Sequence, residues 1–142
     1  MIARVLIPGA ASGEALVLPE PLSLWGGLDP TSGEIIDRRH PSSGRNVRGR
    51  VLVLPFGRGS SSASSILLEA VRLGNAPAAI ITSETDPILA LGAAVARELY
   101  ATAPPVVVLA PDDYAQIRDG DWVAVRDDGR VDAEGRGSRP IA

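Results

Sequence analysis

The chain contains no cysteine. That excludes disulfides, a cysteine nucleophile and any thiolate-held iron–sulfur cluster or zinc site built from this chain's own residues. Histidine is scarce as well. His40 is the only one, so a multi-histidine metal site is also excluded. Aromatic residues make up 4% of the sequence against 45% hydrophobic residues overall; the core must therefore be built from Val, Leu, Ile and Ala. A net charge of −3 leaves no electrostatic footprint for nucleic acid. No apolar run approaches the roughly 20 residues a membrane helix needs. The start, Met1-Ile2-Ala3-Arg4-Val5-Leu6-Ile7-Pro8, carries an apolar run too short for a signal segment. The expectation is a cytoplasmic protein that binds neither nucleic acid nor membrane. Its 142 residues suit one domain.

What is present is ordered along the chain. In the first third, residues 4–7 and 14–18 read as short strands, separated by Pro8-Gly9 and Ser12-Gly13. Residues 21–33 have no helical period and too many breakers for a long strand, so they read as a long ordered loop; residues 34–37 read as a strand and residues 40–44 as a turn. The middle changes character. Residues 50–54 form a continuous apolar run, the mark of a strand covered on both faces. Residues 64–73 carry apolar side chains at 66, 67, 70, 71 and 73, a helical spacing stopped by Gly74-Asn75. Residues 78–82 read as a second buried strand, and a second helix runs from Pro87 to about Tyr100 with Asp86 as its N-cap. A third buried strand covers residues 106–109. Strand–helix–strand–helix–strand implies a parallel sheet with right-handed crossovers. The end returns to β: residues 121–126 alternate, and Asp127-Asp128-Gly129 is a hairpin turn. The whole reads as one α/β domain, a β-rich shell on an α/β centre, over residues 1–134, with residues 135–142 as a flexible tail.

The loop Gly57-Arg58-Gly59-Ser60-Ser61-Ser62 lies between a buried strand and a helix, where α/β sheets bind ligands. Its glycines let backbone approach a ligand. The helix start offers free N–H groups and partial positive charge, and Arg58 adds a two-pronged donor for carboxylate or phosphate. The natural ligand is a small anion. A serine at a helix start also reads as an N-cap, and the residues alone leave that alternative open. The dinucleotide glycine fingerprint is incomplete, and there is no Gly-Lys-Ser/Thr of a nucleotide P-loop. A self-contained Ser-His-Asp hydrolase has no support, because nothing places His40 beside Ser60 and the Gly-x-Ser-x-Gly elbow is absent. A serine here would need activation by Arg58, the helix end and charge from another subunit. Elsewhere, Asp29 and Asp37 either orient loops or touch substrate, though most such acids only cap turns; Glu69, Arg72, Arg97 and Glu98 read as solvated helix faces, and Trp122 as core. Trp25 either packs its loop onto the core or faces a partner.

These residues resemble a known family. Gly-Arg-Gly-Ser-Ser-Ser after a strand, preceded by Leu24-Trp25-Gly26-Gly27-Leu28-Asp29-Pro30-Thr31-Ser32-Gly33-Glu34-Ile35-Ile36-Asp37 and His40-Pro41, and followed by Gly74-Asn75-Ala76-Pro77 and Asp86-Pro87-Ile88, is similar to the small subunit of aconitase X proteins. The likeness runs from about residue 9 to residue 109. It implies a swivelling β/β/α domain like the mobile domain of aconitase, with a mixed or barrel-like sheet and flanking helices. It implies a large-subunit partner that holds an iron–sulfur cluster or iron through its own cysteines, and dehydration of a small hydroxylated anion. By the same resemblance Ser60 is the base, and Arg58, Gly59, Ser61 and Ser62 bind substrate. Family activities include dehydration of cis-3-hydroxy-L-proline, toward which Arg58 and the serine run point, and of mevalonate 5-phosphate. The residues also admit two other readings. Thr82-Ser83 with the segments after it resembles the phosphohistidine swivelling domain of phosphoenolpyruvate-using enzymes, but Glu84 stands where the histidine is needed. A non-catalytic module that merely holds an anion is the other.

Overall fold

The computed structural model describes residues 1–58 and 61–135. Strands β1 (Arg4–Ile7), β2 (Ala11–Val17), β5 (Val51–Leu54), β6 (Ala79–Thr82), β7 (Val106–Val108), β8 (Trp122–Val125) and β9 (Val131–Glu134) form one mixed sheet in the order β1-β7-β6-β5-β2-β8-β9. Its centre, β7-β6-β5-β2, is parallel; β1, β8 and β9 join antiparallel to their neighbours. Residues 1–3 reach across to 129–131: Ile2 bridges Arg130, the Ala3 N–H donates to the Gly129 carbonyl at 2.8 Å, and the Val131 N–H donates to the Met1 carbonyl at 2.9 Å. The sheet therefore curls until its two edge strands meet at one corner, giving a barrel-like shell.

Helices α1 (Ser62–Arg72) and α2 (Pro87–Tyr100) join β5 to β6 and β6 to β7, and a short helix α3 (Pro111–Tyr114) follows β7. The apolar runs at the centre have no alternation because both faces are covered. Leu52 and Leu54 of β5, Ile80 of β6 and Val106 of β7 pack with Leu67 of α1 and Leu89 and Ala93 of α2. The intervening Val51, Val53, Ala79, Ile81 and Val107 fill the inside of the curl with Val123, Val125 and Val131. Fully burying a Leu, Val or Ile side chain contributes roughly 1.5–3 kcal/mol. The tight interior of a curled sheet takes short branched side chains well, which is how a chain with so few aromatics builds two core layers.

Four local features depart from the sequence reading. Strand β2 starts at Ala11 and runs through Ser12-Gly13 instead of breaking there. Gly13 is needed for space: a Cβ would meet the Gly49 carbonyl oxygen at 2.8 Å. The long loop is not strand-free, since β3 (Leu28–Asp29) pairs with β4 (Glu34–Ile35) as a small hairpin. Helix α1 begins two residues earlier than its apolar spacing suggests, and α3 carries too little periodic signal to be read in advance. The expected flexible tail falls mainly on residues 136–142, which lie outside the described residues.

Candidate functional site

The carboxyl ends of β5 and β6 deliver two loops to one edge of the sheet. The loop after β5 opens with Pro55, whose carbonyl accepts from both the Ser83 N–H and the Ser83 hydroxyl at 3.1 Å. Gly57 then pairs with Leu22 in a parallel bridge, and the Arg58 N–H donates to the Leu22 carbonyl at 3.0 Å. Asp86, 6% exposed, ties this loop to the next helix. Its Oδ1 accepts from the Ile88 and Leu89 N–H groups at 3.1 and 3.0 Å, an N-cap as expected, and its Oδ2 accepts from the Gly57 N–H at 2.6 Å. A Cβ at Gly57 would sit 2.7 Å from Asp86 Oδ2, so a larger residue would displace the carboxylate from this contact. The loop that carries the serines thus leaves the sheet held on both sides.

Of the five expected site residues, Arg58, Ser61 and Ser62 are described; Gly59 and Ser60 lie outside the described residues. Ser61 stands at the N-cap position of α1 with its side chain exposed, yet that side chain makes no cap hydrogen bond. Its carbonyl accepts instead from the Ser64 N–H and hydroxyl at 3.1 and 2.7 Å. The simple capping role therefore does not use the Ser61 hydroxyl. The first turn of α1 holds no acidic residue, so no carboxylate within it offsets the partial positive charge of the helix start. The Arg58 guanidinium is exposed and makes no hydrogen bond or ion pair with another described residue. Ser62 is half-buried.

Arg58 faces two hollows. One is small and apolar, between Leu22, Leu24, Ala63, Leu89 and Asp86. The other is a polar cleft of about 410 Å³ between the 20–40 segment and Arg58, lined also by Ser23, Trp25, Asp37, Arg39 and His40. Sequence reading missed Arg39; the only signal was a charged run, Asp37-Arg38-Arg39, inside a long loop. His40 is buried and spent on structure. Its Nδ1 accepts from the Ser42 N–H at 3.0 Å, which leaves Nε2 to donate to the Glu20 carbonyl at 3.1 Å. Asp29 caps its own turn: the Thr31 hydroxyl and N–H, at 2.6 and 2.9 Å, hold its carboxyl below the ordinary value. Trp25 is 60% exposed, so it faces outward from its loop and not into the core.

A family model, the aconitase X swivel domain, matches residues 1–133. The chain belongs to the aconitase X swivel-domain family. This swivel domain is 48% identical over 93% of its length to the cis-3-hydroxy-L-proline dehydratase of Pseudomonas aeruginosa, but spans only 22% of that protein's length. It is 38% identical over 86% of its length to the phosphomevalonate dehydratase small subunit of Methanosarcina mazei, covering 81% of that subunit. Among solved structures it resembles a chain of Thermococcus kodakaraensis aconitase X in its holo-form, with a TM-score of 0.83 and 32% identity over 93% of this chain and 95% of that one. Among the described residues of the swivel domain, no group of three or more His, Cys, Asp or Glu side chains is placed to hold a metal ion. With cysteine absent from the whole chain, its residues do not fit a metal centre of their own. No described helix is long and apolar enough to cross a membrane.

Proposed function

We propose that this swivel domain is the small subunit of a heteromeric hydro-lyase that dehydrates cis-3-hydroxy-L-proline, active only together with a large subunit. The observation that carries the reading is its 48% identity over 93% of the chain with the Pseudomonas dehydratase, against 38% over 86% with the Methanosarcina mazei phosphomevalonate subunit. In this reading Ser60 is the base. Its alkoxide takes the proton from the carbon α to the carboxylate, the hydroxyl on the neighbouring carbon departs as hydroxide, and the Ser60 hydroxyl passes that proton on to it, which forms water and restores the alkoxide. Arg58, Gly59, Ser61 and Ser62 hold the carboxylate, supported by the helix start and a guanidinium that pairs with no other described residue. An iron–sulfur cluster or iron belongs in this proposal to the large subunit, and no residue of this chain is assigned to it.

A second reading is the small subunit of mevalonate 5-phosphate dehydratase. Several relatives carry that name at 36–48% identity, and an anion loop at a helix start suits phosphate equally well. A non-catalytic anion-holding domain is the third.

One reconstitution separates them. The chain is combined with its candidate large subunit, and both substrates are assayed with wild type and Ser60→Ala. Dehydration of cis-3-hydroxy-L-proline, with kcat lowered by about 10²–10⁴ in Ser60→Ala as for loss of a general base, supports the first reading. An unchanged rate in Ser60→Ala removes that residue as the base. Turnover of mevalonate 5-phosphate alone selects the second reading. Failure of the two chains to co-elute removes the subunit reading.

A further inference from the structure

Four charged side chains line the polar cleft beside the serine loop: Glu20, Asp37, Arg39 and Arg58. None of the four forms an ion pair with another described residue, although Arg45, Arg50, Arg72, Arg126 and Arg130 each pair with a carboxylate. The cleft therefore presents two charges of each sign that the described residues leave unmatched. Two guanidinium groups alone would suit a dianion. Two carboxylates beside them suit a ligand that carries both signs.

The walls are fixed in advance. Buried His40 joins them, accepting from the Ser42 N–H and donating to the Glu20 carbonyl. Asp37 is half-buried, and its Oδ1 accepts from the Arg39 N–H at 3.0 Å. That turn orients the carboxylate and leaves Oδ2 without a described partner. Trp25 adds an exposed aromatic face, suited to ring methylenes and to a cation over its π-system. Arg58 lines this cleft as well as the hollow beside Ala63 and Asp86, so a ligand gripped by Arg58 lies near the start of α1.

We infer that this cleft is the specificity subsite of the reaction proposed above, reading a zwitterionic imino acid: Arg58 takes the carboxylate and Asp37 takes the ring ammonium. The inference rests on the imino-acid reading of the substrate. Asp37 offers nothing to a phosphorylated hydroxy acid, which carries no ammonium and meets Asp37 as a like charge.

The test uses the chain assembled with its large subunit. Asp37→Asn keeps the turn, because an amide oxygen still accepts the Arg39 N–H, but removes the charge. The expected result is a KM for cis-3-hydroxy-L-proline raised about tenfold or more, the loss of one charge-assisted hydrogen bond, with kcat changed less than about threefold; Asp37→Glu recovers part of the loss. A readout independent of turnover is competitive inhibition by L-proline and by tetrahydrofuran-2-carboxylate, which has the same ring and carboxylate without the ammonium. Wild type prefers L-proline, and Asp37→Asn erases the preference. If imino acid is turned over but Asp37→Asn moves neither KM nor this preference, or wild type shows no preference, the subsite is overturned while the proposed activity stands. If wild type turns over mevalonate 5-phosphate and no imino acid, the proposed substrate falls and the subsite falls with it.

Discussion

The Asp86 carboxylate and the Gly57 amide meet at 2.6 Å. Through that contact one buried side chain serves two elements, starting α2 with one oxygen and holding the serine loop with the other. The edge of the sheet where substrate is proposed to bind is thus positioned by a residue that need not touch substrate.

Asp86→Ala should cost about 2–4 kcal/mol of stability, the sum of an N-cap and a buried charge-assisted hydrogen bond. Asp86→Asn should recover part of that by capping α2 through its amide oxygen. It turns an N–H toward the Gly57 N–H, however, so the loop is released. Urea denaturation together with kcat/KM of the reconstituted enzyme checks this. The Asn variant should regain stability without regaining activity; equal recovery of both would mean that the loop tether is unimportant.

Ser61 stands at the cap position of α1 without using its hydroxyl as a cap. Ser61→Ala should therefore change stability by less than about 0.5 kcal/mol, while weakening substrate binding by roughly threefold to tenfold as one hydrogen bond is lost. A stability loss near 1 kcal/mol with an unchanged KM would assign the residue to capping after all.

Tyr114 carries the one buried side-chain polar atom among the described residues that has no hydrogen-bond partner. Burial pushes its hydroxyl up to about 12. A folded value raised above the unfolded one contributes stability that is complete below the unfolded value of 10.0 and is lost as pH rises through about 12. Tyr114→Phe should be neutral or stabilising by up to about 1 kcal/mol near neutral pH, because it removes an unsatisfied buried hydroxyl. It should also flatten the loss of stability between pH 10.0 and about 12. Thermal melts across that range measure both effects, and a clear loss of stability at neutral pH would point to an unseen partner for the hydroxyl.

Much of this was legible before any fold was known, and for local reasons. The apolar spacing of residues 64–73 marks α1 because one helix face meets the sheet. Uninterrupted runs mark β5, β6 and β7 because both of their faces are buried. Asp86 before Pro87 announces the start of α2, since an acceptor and a preset φ favour a helix start at neighbouring positions. The glycine–serine loop, the Trp25 loop and the family likeness are likewise written in contiguous residues. Gly13 misled because glycine signals both a turn and a close approach, and only the distance to the Gly49 carbonyl separates the two.

The sequence by itself determined the main helices and central strands, the two-sided core poor in aromatics, the absence of cysteine to hold a metal, and the loop proposed to bind an anion. The tertiary structure decided what no spacing encodes. It joined residues 1–3 to residues 129–131 and so curled the sheet. It gave the second oxygen of Asp86 to an amide 29 residues away, and it gathered Asp37, Arg39 and Arg58 around one cleft. The physical reason is the same in each case. A local pattern fixes the hydrogen bonds and the burial face of its own element, whereas a side chain's remaining partner depends on where distant loops come to rest, and that is set only when the core packs.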